Sequence, residues 1–171
     1  MKFNCKNKWV IERKLKDLPV GLKRILVDNA SLTKRIIKNN QEKVKLISTK
    51  IRLTSNFDNN SKKYVYERKV ELKGELRLAI RAVSYTPVNA IKGKINSIKI
   101  LKHKSLATLL FKGQKFSKHA VRYSVSRSDV LRVTLFKRNN AIIKVIETFP
   151  KHNNYEKLSL IECRKNIINR R

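Results

Sequence analysis

The sequence predicts an α+β fold: a single antiparallel sheet of about six strands with helices on one side. Three observations predict it. Apolar residues recur at helical spacing before Val44 and again between Ile91 and Phe111. From Val44 to Tyr85 and from Ala120 to Phe149 the pattern is β-rich instead, with the two-residue period of strands. Short turn-type segments separate the strands within each block, so neighbours form hairpins and run antiparallel. The order is helices, three strands, helices, three strands, in one domain spanning 1–171.

With 41% hydrophobic residues, 4 Gly and 3 Pro, the chain can bury a core and is not of low complexity. That core spans 18–150, between basic extensions at 1–17 and 151–171. Trp9, Val10 and Ile11 form an apolar anchor in the first extension. Leu18, Leu22, Ile25 and Leu26 predict a helix from Leu18 to Val27. Asn29 or Ser31 caps a second, short helix with Leu32, Ile36 and Ile37 on its apolar side. The first strand runs from Val44 to Thr54, and Ser55 to Lys62 has the composition of a turn. In the second strand Tyr64, Tyr66, Arg68, Val70 and Leu72 face one way, and Val65, Glu67, Lys69, Glu71 and Lys73 the other. Gly74 marks a tight hairpin into a third strand, Leu76 to Tyr85, and Pro87 ends it. Ile91 to Phe111 suits one or two helices, broken near Lys99 to Ser105. Three further strands are Ala120 to Arg127, Val130 to Lys137 and Ala141 to Phe149. Arg138-Asn139-Asn140 turns between the last two, and Pro150 closes the sheet. Leu158, Leu160 and Ile161 mark a helix in the tail.

The 42 Lys and Arg against 12 Asp and Glu give a formal net charge of +30 and a pI near 10.6. Such a field attracts anions, including nucleic acids and anionic membranes. Here the basic residues are spread over the whole chain. The densest segments, Lys6 to Lys16 and Arg164 to Arg171, are not interleaved with aromatics as a single-strand binding surface would be. Lys outnumbers Arg 28 to 14, and Lys, Asn and Ile, all with AT-rich codons, make up 61 residues. Compositional drift on solvated faces accounts for this pattern and disfavours nucleic acid as the partner. An anionic small molecule would gain from the same field.

No run of about 18 apolar residues occurs, so no membrane span is predicted. Met1 to Lys6 lacks the apolar stretch of a secretory signal, so secretion is not expected. Cys5 and Cys163 sit at opposite ends with no metal-type or redox-type spacing, which suits a reducing compartment. There is no Gly-rich phosphate loop and no nucleophile elbow, and His103, His119 and His152 lack ligand spacing. No cofactor and no metal is therefore expected. An enzyme of this composition works by enclosing and polarising its substrate.

Two charges fall on the apolar sides of their strands. Arg68 lies between Tyr66 and Val70, and Glu147 shares a side with Ala141, Ile143, Val145 and Phe149. Desolvating either charge alone costs several kcal/mol. Two arrangements remain open: a mutual buried salt bridge or barrel-rim position, or a closed ligand site with a cationic and an acidic pole. In the second, Arg68 suits a carboxylate and Glu147 a hydroxyl.

The chain resembles the chorismate–pyruvate lyases, most closely their cyanobacterial and plastid branch. Asn29-Ala30-Ser31-Leu32-Thr33-Lys34-Arg35 is similar to that family's D-x-S-x-T-[RK] helix start. Glu67-Arg68-Lys69-Val70-Glu71-Leu72 resembles its R-x-V-x-L strand, and Leu78 to Tyr85 the next strand, which reads A-x-S-W in one branch. Asn96 to Ile100 and Ser105-Leu106-Ala107 are similar to a helical flap, and Ile143 to Pro150 to a closing strand with an acidic residue before a Pro. The match covers residues 20–150.

This resemblance implies a chorismate lyase-like sheet with helical flaps, and a carbon–oxygen lyase. Chorismate would lose its enolpyruvyl side chain as pyruvate and leave 4-hydroxybenzoate for quinone biosynthesis, with no cofactor. It implies that Arg68 binds the ring carboxylate and that Glu147 faces the hydroxyl or ether end and assists proton transfer. It further implies a backbone contact at Leu32 and another from the flap, at Ile100 on plastid-type spacing or Leu106 on proteobacterial spacing. A monomer is expected, in the plastid stroma if organelle-encoded and otherwise in the cytoplasm. A non-catalytic domain of the same fold that binds a small aromatic acid ranks second. A basic RNA- or anionic-surface-binding protein ranks third, because it leaves Arg68 and Glu147 unexplained.

Overall fold

The structure, a computed structural model, describes residues 15–28, 42–58, 61–74, 79–111 and 116–156. Helix α1 (Val20–Val27) starts after Pro19, whose φ of −50° and preceding position suit a helix entry. Leu22, Ile25 and Leu26 recur at three- and four-residue spacing and are fully buried on one side. Each such side chain contributes about 1.5–3 kcal/mol by leaving water.

Six strands follow: β1 (Glu42–Asp58), β2 (Ser61–Gly74), β3 (Arg81–Pro87), β4 (Ser117–Val125), β5 (Asp129–Arg138) and β6 (Ala141–Pro150). They form one antiparallel sheet in the order β1-β2-β3-β6-β5-β4. Two hairpin blocks thus meet where β3 pairs with β6. Between the blocks the chain makes two 3₁₀ segments, Val88–Ala90 and Gly93–Ile100, and a short helix α2 (Leu106–Phe111). The break between the helical pieces falls at 101–105, inside the interval expected from the sequence. Among the described residues no helix is long and apolar enough to cross a membrane.

Two apolar clusters pack on the same face of the sheet. At one end α1 meets Val44, Leu72, Ile80, Val130 and Phe149. At the other end Ile98, Leu101, Leu109 and Leu110 of the helical crossover meet Tyr66, Phe136, Ile143 and Val145. The opposite face carries a smaller cluster of Phe57, Val65 and Tyr85.

Two strand boundaries differ from the sequence reading. In the segment from Ser55 to Lys62, expected as a loop, residues 55–58 and 61–62 are strand, and 59–60 lie outside the described residues. Phe57 is the reason: it is buried against Val65 and Tyr85, and a register shift between Thr54 and Asp58 accommodates it. The third strand starts at Arg81, after Ala79 takes a left-handed conformation with φ 46°, and the expected start at Leu76 lies outside the described residues. The predicted helix on Leu32, Ile36 and Ile37, the anchor at Trp9, Val10 and Ile11, and the tail cluster of Leu158, Leu160 and Ile161 lie outside the described residues.

Gly21 lets α1 lie directly on the chain leaving the sheet. A Cβ at this position would sit 2.7 Å from the Glu156 nitrogen and 2.8 Å from the Tyr155 carbonyl carbon, both backbone atoms that cannot swing away. Gly21→Ala should therefore destabilise the protein by about 1–3 kcal/mol in urea unfolding. Intrinsic helix preference alone would instead stabilise it by about 1 kcal/mol, so the sign decides whether this close approach exists.

Candidate functional site

Two rows of side chains cross the sheet between the apolar clusters. One runs Val70, Ala82, Glu147, Arg132, Tyr123, and the next Arg68, Ser84, Val145, Thr134, Val121. Ala82 and Ser84 stand at the centre of the sheet and are too short to reach the helices. A cavity of about 90 Å³ occupies the space above them. A single water needs only about 10–15 Å³ by the same kind of measure, so there is room for a small organic molecule. Val44, Leu72 and Ile80 wall it near α1, and Leu106, Leu110, Phe111 and Phe136 wall it on the crossover side.

Four charged side chains line this mostly apolar cavity: Arg68, Lys118, Arg132 and Glu147. Arg132 is 6% exposed and grips Glu147 in a two-pronged ion pair, Nε to Oε2 at 2.6 Å and Nη2 to Oε1 at 3.0 Å. Its Nη1 donates to the carbonyls of Ile25 and Leu26 at 3.0 and 2.9 Å, the end of α1. Those carbonyls lack partners within the helix and carry its negative pole. The Tyr123 hydroxyl donates to the same Leu26 carbonyl at 3.1 Å, and the guanidinium lies 5.3 Å from the Phe149 ring centre. Burial works against the Arg132 charge, but Glu147, with help from Tyr123 and Asp28, outweighs it and pushes the pKa up.

Arg68 has a different environment. It is 2% exposed, and its Nη2 donates to the carbonyls of Lys102 and Lys104 at 2.9 and 2.7 Å. The guanidinium therefore clasps the turn between the 3₁₀ segment and α2. Its Nε is buried with no hydrogen-bond partner in the protein. Burial lowers its pKa, with a smaller opposing effect from Tyr66. Arginine nevertheless stays charged, so the site keeps a cation.

Lys118 reaches the cavity through a bulge. The register of β4 against β5 shifts between Lys118 and Ala120, so the extra residue turns Lys118 to the cavity face opposite Phe136. Its Nζ donates to the Asp28 carbonyl at 3.3 Å. Burial, then the Arg132 charge, lowers its pKa, while Glu147 and Asp28 oppose. Three cations face one carboxylate around this space, which favours an anionic occupant.

Of the residues singled out in the sequence, Arg68, Leu106 and Glu147 all line the cavity. Ile100 is 74% exposed and is not part of the lining, so of the two flap candidates only Leu106 reaches it. Leu32 lies outside the described residues. Arg68 and Glu147 do not form the mutual salt bridge considered above, since Glu147 is paired with Arg132. Sequence reasoning missed Arg132, Lys118 and Ser84. No protein-family model matches this chain, and no curated protein sequence matches it.

The ion pair supports a stability prediction. Glu147→Ala strands the buried Arg132 charge and should cost about 3–5 kcal/mol, whereas the double variant Arg132→Met, Glu147→Leu should recover most of that loss. Urea unfolding measures both. A loss below about 1 kcal/mol for Glu147→Ala would mean that the pair behaves like an exposed one.

Proposed function

We propose that this cavity binds a small aromatic carboxylate, and that the protein is a chorismate–pyruvate lyase supplying 4-hydroxybenzoate for quinone biosynthesis. One observation carries the reading: Arg68 and Glu147, on strands separated by β3, line a single cavity whose remaining walls are largely apolar. Apolar walls suit a six-membered carbon ring, and an anionic group on the ring would find the buried Nε of Arg68. The six-stranded antiparallel sheet and the helical segment over the cavity fit the flapped architecture that the sequence resemblance implies.

In this reading the ring carboxylate rests on Arg68 and the hydroxyl or ether end points toward Glu147. Arg132 holds the Glu147 carboxylate by two hydrogen bonds and fixes its direction. The reaction breaks the ether bond to the side chain. The ring carbon bearing the hydroxyl loses its proton, the ring becomes aromatic, and the departing enolpyruvate takes up a proton to become pyruvate. Aromatisation drives the step, so the chain's own work is to hold the substrate, exclude water and accept a proton at Glu147. Leu106, at the start of α2, closes the cavity from above. A flap tethered to the substrate-binding Arg68 would make product release slow.

Incubation with chorismate tests the reading. The wild type should release 4-hydroxybenzoate and pyruvate in equal amounts. Glu147→Gln leaves Arg132 one acceptor in place of a carboxylate, so urea unfolding accompanies the assay, and the folded variant should turn over about 10²–10⁴-fold more slowly. Arg68→Ala should weaken binding of the acid by about 10–100-fold, the value of a hydrogen bond to a charged group. Binding of 4-hydroxybenzoate with no pyruvate from chorismate would favour the non-catalytic acid-binding domain. Neither release nor binding would contradict the assignment of this cavity.

A further inference from the structure

Ser84 and Arg68 are direct cross-strand partners on β3 and β2. Side chains in that relation have Cβ atoms about 5 Å apart. Both line the cavity, at 4% and 2% exposure. Each also presents a buried polar atom without a hydrogen-bond partner, Oγ of Ser84 and Nε of Arg68. Leaving one such group unsatisfied costs about 1–3 kcal/mol, and buried polar groups in folded proteins are nearly always paired. Glu67 Oε1 and Thr86 Oγ1 are also buried without a hydrogen-bond partner, but only Arg68 and Ser84 line the cavity, where one ligand atom could serve both.

The chemistry of the pair defines that atom. The Arg68 Nη2 is already committed to the carbonyls of Lys102 and Lys104, while its buried Nε–H is a charged donor without a protein partner. The Ser84 hydroxyl can rotate and donate beside it. A charged donor beside a hydroxyl that can turn its hydrogen the same way favours an anionic oxygen. A neutral hydroxyl end of the ligand would match Glu147 on the other side better. Val145 continues the row beyond Ser84 and offers no polar alternative.

We propose that Ser84 and Arg68 form a carboxylate clamp in which one ligand carboxylate accepts from Arg68 Nε–H and from the Ser84 hydroxyl, making Ser84 the residue that selects acids over neutral aromatics. This rests on the aromatic-acid reading of the cavity. It assigns a role to a side chain that nothing else in the fold requires. Because Ser84 Oγ has no protein partner, its loss should not weaken the fold.

Calorimetric titration of 4-hydroxybenzoate into wild type and Ser84→Ala, with thermal unfolding of both free proteins, tests the clamp. The clamp requires wild-type binding and an affinity about tenfold lower in Ser84→Ala. It also requires an unfolding midpoint for Ser84→Ala that is unchanged or higher, which a purely structural serine would not give. Ser84→Thr keeps the hydroxyl and should retain most of the affinity. Equal affinity of wild type and Ser84→Ala would overturn the clamp while leaving the cavity reading intact. A loss of affinity accompanied by a lower midpoint would overturn it in favour of a structural role. No binding of 4-hydroxybenzoate by wild type would overturn the cavity reading, and the clamp with it.

Discussion

The ion pair between Arg132 and Glu147 is the interaction on which the rest of this face depends. Of the four charges around the cavity, Arg132 and Glu147 are paired with each other, and each is tolerable there only because the other is present. The pair also does something neither partner could do alone. By donating to the Ile25 and Leu26 carbonyls, Arg132 ties the end of α1 to the middle of the sheet. The helix then covers one end of the sheet face and leaves the middle open. Removing the pair would loosen the helix, strand a charge and change the shape of the cavity together.

The cavity follows from what stands beside that pair. Large side chains at the centre of β3 would fill the space between α1 and the crossover, and the two apolar clusters would merge into one core. Ala82 and Ser84 stand there instead. Polar atoms facing such a space are costly unless something pairs with them. Glu147 and Arg132 satisfy each other, while Arg68 Nε and Ser84 Oγ do not find partners in the protein. That asymmetry gives the cavity a satisfied acidic side and an unsatisfied donor side.

Much of this was readable from the residues, and the failures have specific causes. The two-residue alternation in β2 and β6 puts Arg68 and Glu147 on the inner face without further help. Arg132 was within reach. The hairpin turn at Asn139 and Asn140 pairs Arg138 with Ala141, and counting back along both strands brings Arg132 opposite Glu147. It escaped notice because β5 is apolar on both faces, so alternation did not mark its inward side. Lys118 could not be found by period, since the bulge after it reverses the face. Phe57 sits in a segment that composition marks as a turn, and only its burial against the far face of the sheet reveals a strand. Ser84 carries no sequence signal, because an unpaired hydroxyl becomes visible only once its neighbours are positioned.

The most direct test of the central claim is a crystal structure of the protein grown with 4-hydroxybenzoate. We expect one molecule between α1 and the crossover, its carboxylate about 3 Å from Arg68 Nε and its hydroxyl turned toward Glu147. The bidentate pair of Arg132 with Glu147 should be unchanged. A ligand bound elsewhere, or one lying in the cavity with its carboxylate turned away from Arg68, would contradict the assignment of donor and acceptor sides.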